Sequence, residues 1–233
     1  MTLKKIALVT GGARGIGKAC CYELRKKGYF IALHYRSSHE EAKALASELS
    51  ECQLYPSDFS ETGSCEKLIK DVKRDHGRID VLVNNAGVTL NKLLVLSKED
   101  DFDSLVTNNL KPIVLLSKGA ARIMMRQKSG AIINLSSSVA FTGNRGQVLY
   151  SSVKGAVTSF TRSLSLELGG FGVRINSVAP GFIETKMTET LSDEVKESVL
   201  QQIPLGRFGK ANEVAKLVTF LASEDASYIT GST

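Results

Sequence analysis

With 233 residues, 42% of them apolar and 23% charged, the chain is large enough to bury a sizeable core and lacks the composition of a disordered or fibrous protein. No run approaches the ~20 apolar residues that cross a bilayer, and Met1–Lys5 lead straight into an apolar strand without a signal-peptide core, which points to the cytoplasm. The net charge of +6 is dispersed among acidic residues rather than massed, so nucleic acid is not the expected partner, whereas the phosphates of a cofactor or an acidic protein carrier would use such a surface equally well.

Along the chain, short apolar runs alternate with longer amphipathic stretches. Runs at Lys5–Val9, Phe30–Leu33, Gln53–Tyr55, Val81–Val83, Ala131–Leu135 and Val173–Val178 read as strands, with helical stretches between them. Near-continuous apolar strands bounded by turn residues are what a parallel sheet covered on both faces requires. The pattern predicts an α/β fold, a Rossmann-like doubly wound parallel sheet, in a single domain over residues 1–233. Of the prolines, only Pro112 falls inside a helical pattern, and a helix boundary is expected just before it. The four cysteines lack metal spacing, and Cys20 and Cys21 are adjacent, which suits reduced core thiols. His34, His39 and His76 are isolated and fit surface positions better than a metal site.

A doubly wound sheet takes ligands outside the carboxyl ends of its strands, so polar residues just after each apolar run are the candidates. The first strand runs into Thr10-Gly11-Gly12-Ala13-Arg14-Gly15-Ile16-Gly17 and then a helical stretch reaching Lys27, closed by Gly28. Gly11 allows the tight turn, Gly15 lets backbone approach a pyrophosphate, and Gly17 lets helix and sheet pack closely, with the helix N-terminus facing the phosphates. A dinucleotide is the expected ligand; a bare turn or another nucleotide-like ligand is the alternative. The second strand ends at His34-Tyr35-Arg36-Ser37, without the acidic residue that would hold a ribose 2′-hydroxyl. Arg36, with Arg14 from the glycine loop, would instead grip a 2′-phosphate, so NADPH is the expected cofactor; two solvated arginines are the bland reading.

Ser136-Ser137-Ser138 follow the fifth strand, and Tyr150 and Lys154 lie four apart, on one face of a helical stretch. Reducing a ketone by hydride leaves an alkoxide to be protonated, and a phenol of pKa ~10 is a slow acid at neutral pH. Moving it to ~7 takes about 4 kcal/mol, which one close ammonium in a partly desolvated site can supply. Lys154 would tune Tyr150, and Ser137 would hold and polarise the substrate carbonyl. A hydrolase reading of Ser137 lacks a nearby histidine or a GxSxG elbow.

The glycine spacing resembles the TGxxxGxG signature of the short-chain dehydrogenase/reductase family, and the likeness covers essentially the whole chain. Asn84-Asn85-Ala86-Gly87 after the fourth strand matches the family's NNAG motif, and Tyr150-xxx-Lys154 lies thirteen residues beyond Ser137, as it does there. The resemblance implies catalytic roles for Asn109, Ser137, Tyr150 and Lys154. Asn109 is favoured over Asn108 by the family's xxNL pattern and implied to help hold a proton-relaying water, with a helix-capping or kink role as the alternative; Ser136 and Ser138 remain open beside Ser137. It implies cofactor contacts from Gly11, Arg14, Gly15, Ile16, Gly17, Arg36, Ser37, Asp58, Phe59, Asn85, Ala86, Gly87, Tyr150, Lys154, Pro180, Gly181, Ile183 and Thr185. Asp58 would meet the adenine amino group, Ile183 the carboxamide and Thr185 a phosphate.

Within the family, Asn144–Gln147, Val178–Thr185 and Ile203–Gly209 resemble the bacterial 3-oxoacyl-[acyl-carrier-protein] reductases. That implies an acyl thioester substrate on acyl carrier protein, with acetoacetyl-coenzyme A or another small ketone as the alternative and a non-catalytic dinucleotide sensor or scaffold as the second. Exposed cations at Arg122, Arg126 and Lys128 would suit an acidic carrier or merely complement a helix dipole, and Phe171 stands where many such reductases carry a basic residue. Residues 186–209 resemble a mobile substrate lid. The stretches Leu110–Met125 and Ser152–Leu168 carry surplus apolar residues at helical spacing, as do helices that pair relatives into homodimers or homotetramers. The family normally continues past Gly231-Ser232-Thr233 into a last strand and tail, so that strand is expected to be missing.

Overall fold

The computed structural model describes residues 4–184 and 193–233. Six strands, β1 (Ile6–Val9), β2 (Phe30–Tyr35), β3 (Cys52–Pro56), β4 (Val81–Asn84), β5 (Gly130–Leu135) and β6 (Val173–Val178), form one wholly parallel sheet in the order β3-β2-β1-β4-β5-β6. Helices α1 (Gly15–Lys26), α2 (His39–Leu49) and α3 (Ser64–His76) follow the first three strands. After β4 come α4 (Glu99–Leu105), a π turn (Val106–Leu110) and α5 (Lys111–Gln127). After β5 come α6 (Val139–Thr142) and α7 (Val148–Leu168), and after β6 come α8 (Asp193–Leu200) and α9 (Ala211–Ala222).

The strands of β1 and β4 are buried at every position, as strands covered on both faces must be. Side chains alternate between two cores: Ala7 and Val9 face α1, α2 and α9, while Ile6 and Leu8 face α3, α5 and α7. The end of the chain runs beside β6, where the Gly231 N–H donates to Ile175 O (2.7 Å) and the Ser177 N–H donates to Ser232 O (2.8 Å). Among the described residues no helix is long and apolar enough to cross a membrane, and no group of three or more His, Cys, Asp or Glu could hold a metal ion.

The helix boundary expected before Pro112 is present: α5 begins at Lys111, one residue before the proline, directly after the π turn. Proline cannot donate to the carbonyl four residues back. The chain absorbs that defect by widening its hydrogen-bonded ring for one turn rather than by leaving the helix, and Pro112 sits in the first turn of α5.

On the face covered by α5 and α7 lies a buried polar chain. The Asn84 amide donates to Asn134 Oδ1 (2.8 Å) and to Ser117 (3.1 Å), and the Asn134 amide donates to Thr161 (2.9 Å), joining β4 and β5 to α5 and α7. Removing one member leaves its partners buried without water. Asn134→Ala is expected to cost about 2–4 kcal/mol of stability in chemical denaturation.

Candidate active site

Where β1 ends, Gly11 and Gly15 take φ of +62° and +53°, left-handed values that an L side chain rarely adopts. A Cβ at Gly17 would overlap the Gly11 carbonyl oxygen and come within 2.6 Å of Asn85 Nδ2. The loop therefore admits no side chain at these positions and presents bare backbone at the start of α1, a cradle suited to a pyrophosphate. Half-buried Ile16 packs against the core beneath it. Arg14 and Arg36 are exposed, and among the described residues neither is held in an ion pair. Ser37 is exposed beside Arg36.

Two residues that the sequence reading left out of the site organise this end. The Thr10 hydroxyl accepts the main-chain N–H groups of Asn85 (2.9 Å) and Ala86 (3.0 Å), and the Asn85 side chain donates to Thr10 O (2.9 Å). The β4 turn is thereby fastened to the β1 turn. His34, expected on the surface, is instead 2% exposed. The Gly11 N–H donates to its Nδ1 (3.2 Å), its Nε2 bonds Ser57 O (3.0 Å), and its ring stacks on Phe59 at 4.1 Å. Burial pushes its pKa down to about 4. The signal available in the sequence was its place at the carboxyl end of β2. His39 is exposed and His76 half-buried against Phe30. Asp58, half-buried in the turn after β3, accepts from the Ser60 N–H (2.9 Å); that bond holds its carboxyl below the usual range, and Arg36 adds to the effect.

Further along the same edge, β5 delivers the three serines to different tasks. The Ser136 hydroxyl donates to the Lys154 carbonyl (2.9 Å), the Ser138 N–H donates to Pro180 O (2.9 Å), and the Ser137 hydroxyl hydrogen-bonds the Tyr150 phenol. Tyr150 and Lys154 share one face of α7, with Nζ 5.8 Å from the centre of the phenol ring. Lys154 is 5% exposed and donates to Leu135 O (2.7 Å). Burial lowers its pKa to about 8. The phenol is not lowered in the protein alone: burial raises it, and the Ser137 bond opposes that rise.

Asn109 is 1% exposed in the π turn, where its amide donates to Leu105 O (3.0 Å) and its Oδ1 accepts the Val88 N–H (3.1 Å). A Cβ at Gly87 would lie 2.5 Å from that Oδ1 and 3.9 Å from Lys154 Nζ, so Gly87 brings the motif loop between the two side chains. Pro180, Gly181 and Ile183 follow β6; Gly181 faces Ser138, and Ile183 bridges to Gly209. Glu184 N–H donates to Gly209 O (2.8 Å) and Gly209 N–H to Phe182 O (2.9 Å), pinning together the two ends of the expected lid. Thr185 lies outside the described residues, as does the lid's first part, 186–192.

The sequence model of a family described as Enoyl-(Acyl carrier protein) reductase matches residues 11–233. Proteins named 3-oxoacyl-[acyl-carrier-protein] reductase FabG are similar over the full chain. The one from Staphylococcus aureus is 44% identical over 100% of this chain and 96% of its own length. The chain belongs to the short-chain dehydrogenase/reductase family. A second such relative, from Haemophilus influenzae, is 44% identical over 98% of this chain and 95% of its own. A third, from Thermotoga maritima, is 40% identical over 97% and 94%. The short-chain dehydrogenase/reductase family description and these names differ in the reaction they print, enoyl against 3-oxoacyl, but agree on a carrier-protein thioester.

A buried ammonium without a carboxylate partner is costly. Below about pH 8, Lys154 is charged in both the folded and the unfolded chain and the cost is present in full; between there and 10.5 only the unfolded chain keeps the proton, so stability from this group rises with pH. Lys154→Met is expected to gain roughly 1–3 kcal/mol of stability at neutral pH. The gain should shrink as pH rises toward 10.5, read from denaturant midpoints across the range.

Proposed function

We propose that this protein is an NADPH-dependent oxidoreductase that converts a 3-oxoacyl thioester, carried on acyl carrier protein, to the 3-hydroxyacyl product in fatty-acid synthesis. The observation that carries this reading is the Ser137–Tyr150–Lys154 cluster at the end of β5, on the same sheet edge as the glycine cradle at the end of β1. Full-length similarity to proteins named for that reaction supports the substrate. An enzyme of this kind works in the cytoplasm.

The glycine loop and first turn of α1 hold the pyrophosphate, and Arg14 and Arg36 take the 2′-phosphate. Asp58, Ser37 and the Phe59 turn border the adenosine; Asn85, Ala86 and Gly87 the ribose; Pro180, Gly181 and Ile183 the nicotinamide side; Thr185 would take a phosphate. When bound, NADPH supplies the hydride. Ser137 donates a hydrogen bond to the carbonyl oxygen and stabilises its developing negative charge. Tyr150, bonded to the same hydroxyl, gives its proton to that oxygen. Its raised phenol keeps the proton until substrate arrives, and cationic Lys154 favours the phenolate left behind. Asn109 holds the Gly87–Val88 loop against the π turn. With one amide N–H given to Leu105 and Oδ1 accepting from Val88, the Asn109 main-chain carbonyl would be the group that accepts a hydrogen bond from a proton-relaying water.

Carrier protein is expected to dock on the end of α5, where Arg122, Arg126 and Lys128 are exposed. Leu115 and Leu166, exposed on α5 and α7, suit pairing of two copies through those helices, as a homodimer or within a homotetramer. Sedimentation at micromolar concentration should give a dimer or larger.

Nicotinamide absorbance with acetoacetyl thioesters tests the activity, and NADPH oxidation by acetoacetyl-carrier protein is the expected result. Tyr150→Phe should cut turnover on the order of 100-fold or more while cofactor still binds. Arg36→Asp should weaken NADPH about ten- to a hundredfold and spare NADH. If the carrier thioester gives no advantage over the coenzyme A thioester, and Arg126→Glu with Lys128→Glu changes nothing, the substrate is the coenzyme A ester and the reductase reading stands.

A further inference from the structure

His34, at the end of β2, holds the turns after β1 and β3 with a single side chain. Its main-chain carbonyl accepts the Gly12 N–H (2.9 Å) while its ring accepts the Gly11 N–H, so two consecutive amides of the glycine loop rest on one residue. From the other side the ring meets Ser57 O, in the turn that carries Asp58 and Phe59. The two ring bonds determine the tautomer. Nδ1 faces an N–H and must be bare; Nε2 faces a carbonyl and must carry the hydrogen. A proton on Nδ1 would set N–H against N–H at Gly11.

We propose that His34 is a positioning residue for the dinucleotide: as the neutral Nε2–H tautomer it fastens the glycine loop to the turn after β3, and affinity for the cofactor falls when the ring is protonated. The proposal rests on the reading of the glycine loop as a dinucleotide cradle and adds a residue that never touches the ligand. The surroundings oppose the charged ring through burial and favour it through Ser57 O and the Asp58 carboxylate. Arg36, one residue past the end of β2, acts on Asp58, and the glycine loop contributes backbone, with Arg14 exposed. With the pKa pushed down to about 4, the lock holds at neutral pH and is lost only in acid.

Three measurements on the full chain test this. With three histidines present, imidazole 15N shifts on the unliganded protein should show one held in the Nε2–H tautomer from neutral pH to near pH 5. Calorimetric titration with NADP+ at neutral pH should give His34→Phe, which keeps a ring on Phe59 but loses both bonds, a dissociation constant raised roughly tenfold. His34→Asn offers Gly11 an acceptor that does not titrate, so it should stay within about threefold of the parent and flatten the acid loss of affinity. The Asn variant and the 15N shifts decide the matter should the Phe variant fail to fold. A parent that binds neither NADP+ nor NAD+ overturns the proposed function and this inference with it. A parent that binds while His34→Phe binds equally well, or a ring found as Nδ1–H, overturns the inference alone. So does an affinity that rises in acid for the parent but not for His34→Asn, since the ring would then be a cation for the phosphates.

Discussion

A parallel sheet leaves main-chain hydrogen-bonding groups at the carboxyl ends of its strands, where the chain turns away and the ladder stops. Side chains must complete them or water will. In this protein Thr10 takes two N–H groups of the β4 turn, His34 takes one from the glycine loop, Asn109 takes that of Val88, and Lys154 gives to the last carbonyl of β5. The residues that finish the strand ends are the ones that shape the site. Each loop is anchored before any ligand arrives, which lowers the ordering cost of binding.

Lys154 shows the tension in that arrangement. Its bond to Leu135 and its place beneath Gly87 position it, yet its ammonium is taken out of water with no carboxylate to balance it. A chain folding for stability alone would place an apolar side chain there. Retention of a destabilised cation on the same helix face as Tyr150 marks the function-bearing part of α7.

The sheet was legible because strands buried on both faces must be apolar throughout, and the predicted runs match the strands to within a residue or two at most ends. The glycine cradle and the Tyr150–Lys154 pair were legible because backbone approach and helical spacing each demand a residue type at a fixed interval. What escaped notice were residues whose partner is distant in sequence. His34 looks like a polar residue at a strand end until Gly11 and Ser57, each 23 positions away, close on either side of its ring. Pro112 was legible as the start of a helix, but nothing local announces the π turn that joins α5 to α4 without a gap. Spacing likewise puts Lys154 beside Tyr150 without saying that its Nζ is turned to Leu135.

The clasp between Phe182, Glu184 and Gly209 closes a loop on itself before the loop reaches anything else. The closure entropy of the interval is met locally, and it grows only slowly with length. Changes of length past Thr185 in that interval are thus expected to leave β6 and Ser137 in place. Diversification of acyl preference in proteins built this way can proceed in that interval as a self-contained cassette, while the reaction chemistry, anchored to the strand ends, is inherited unchanged.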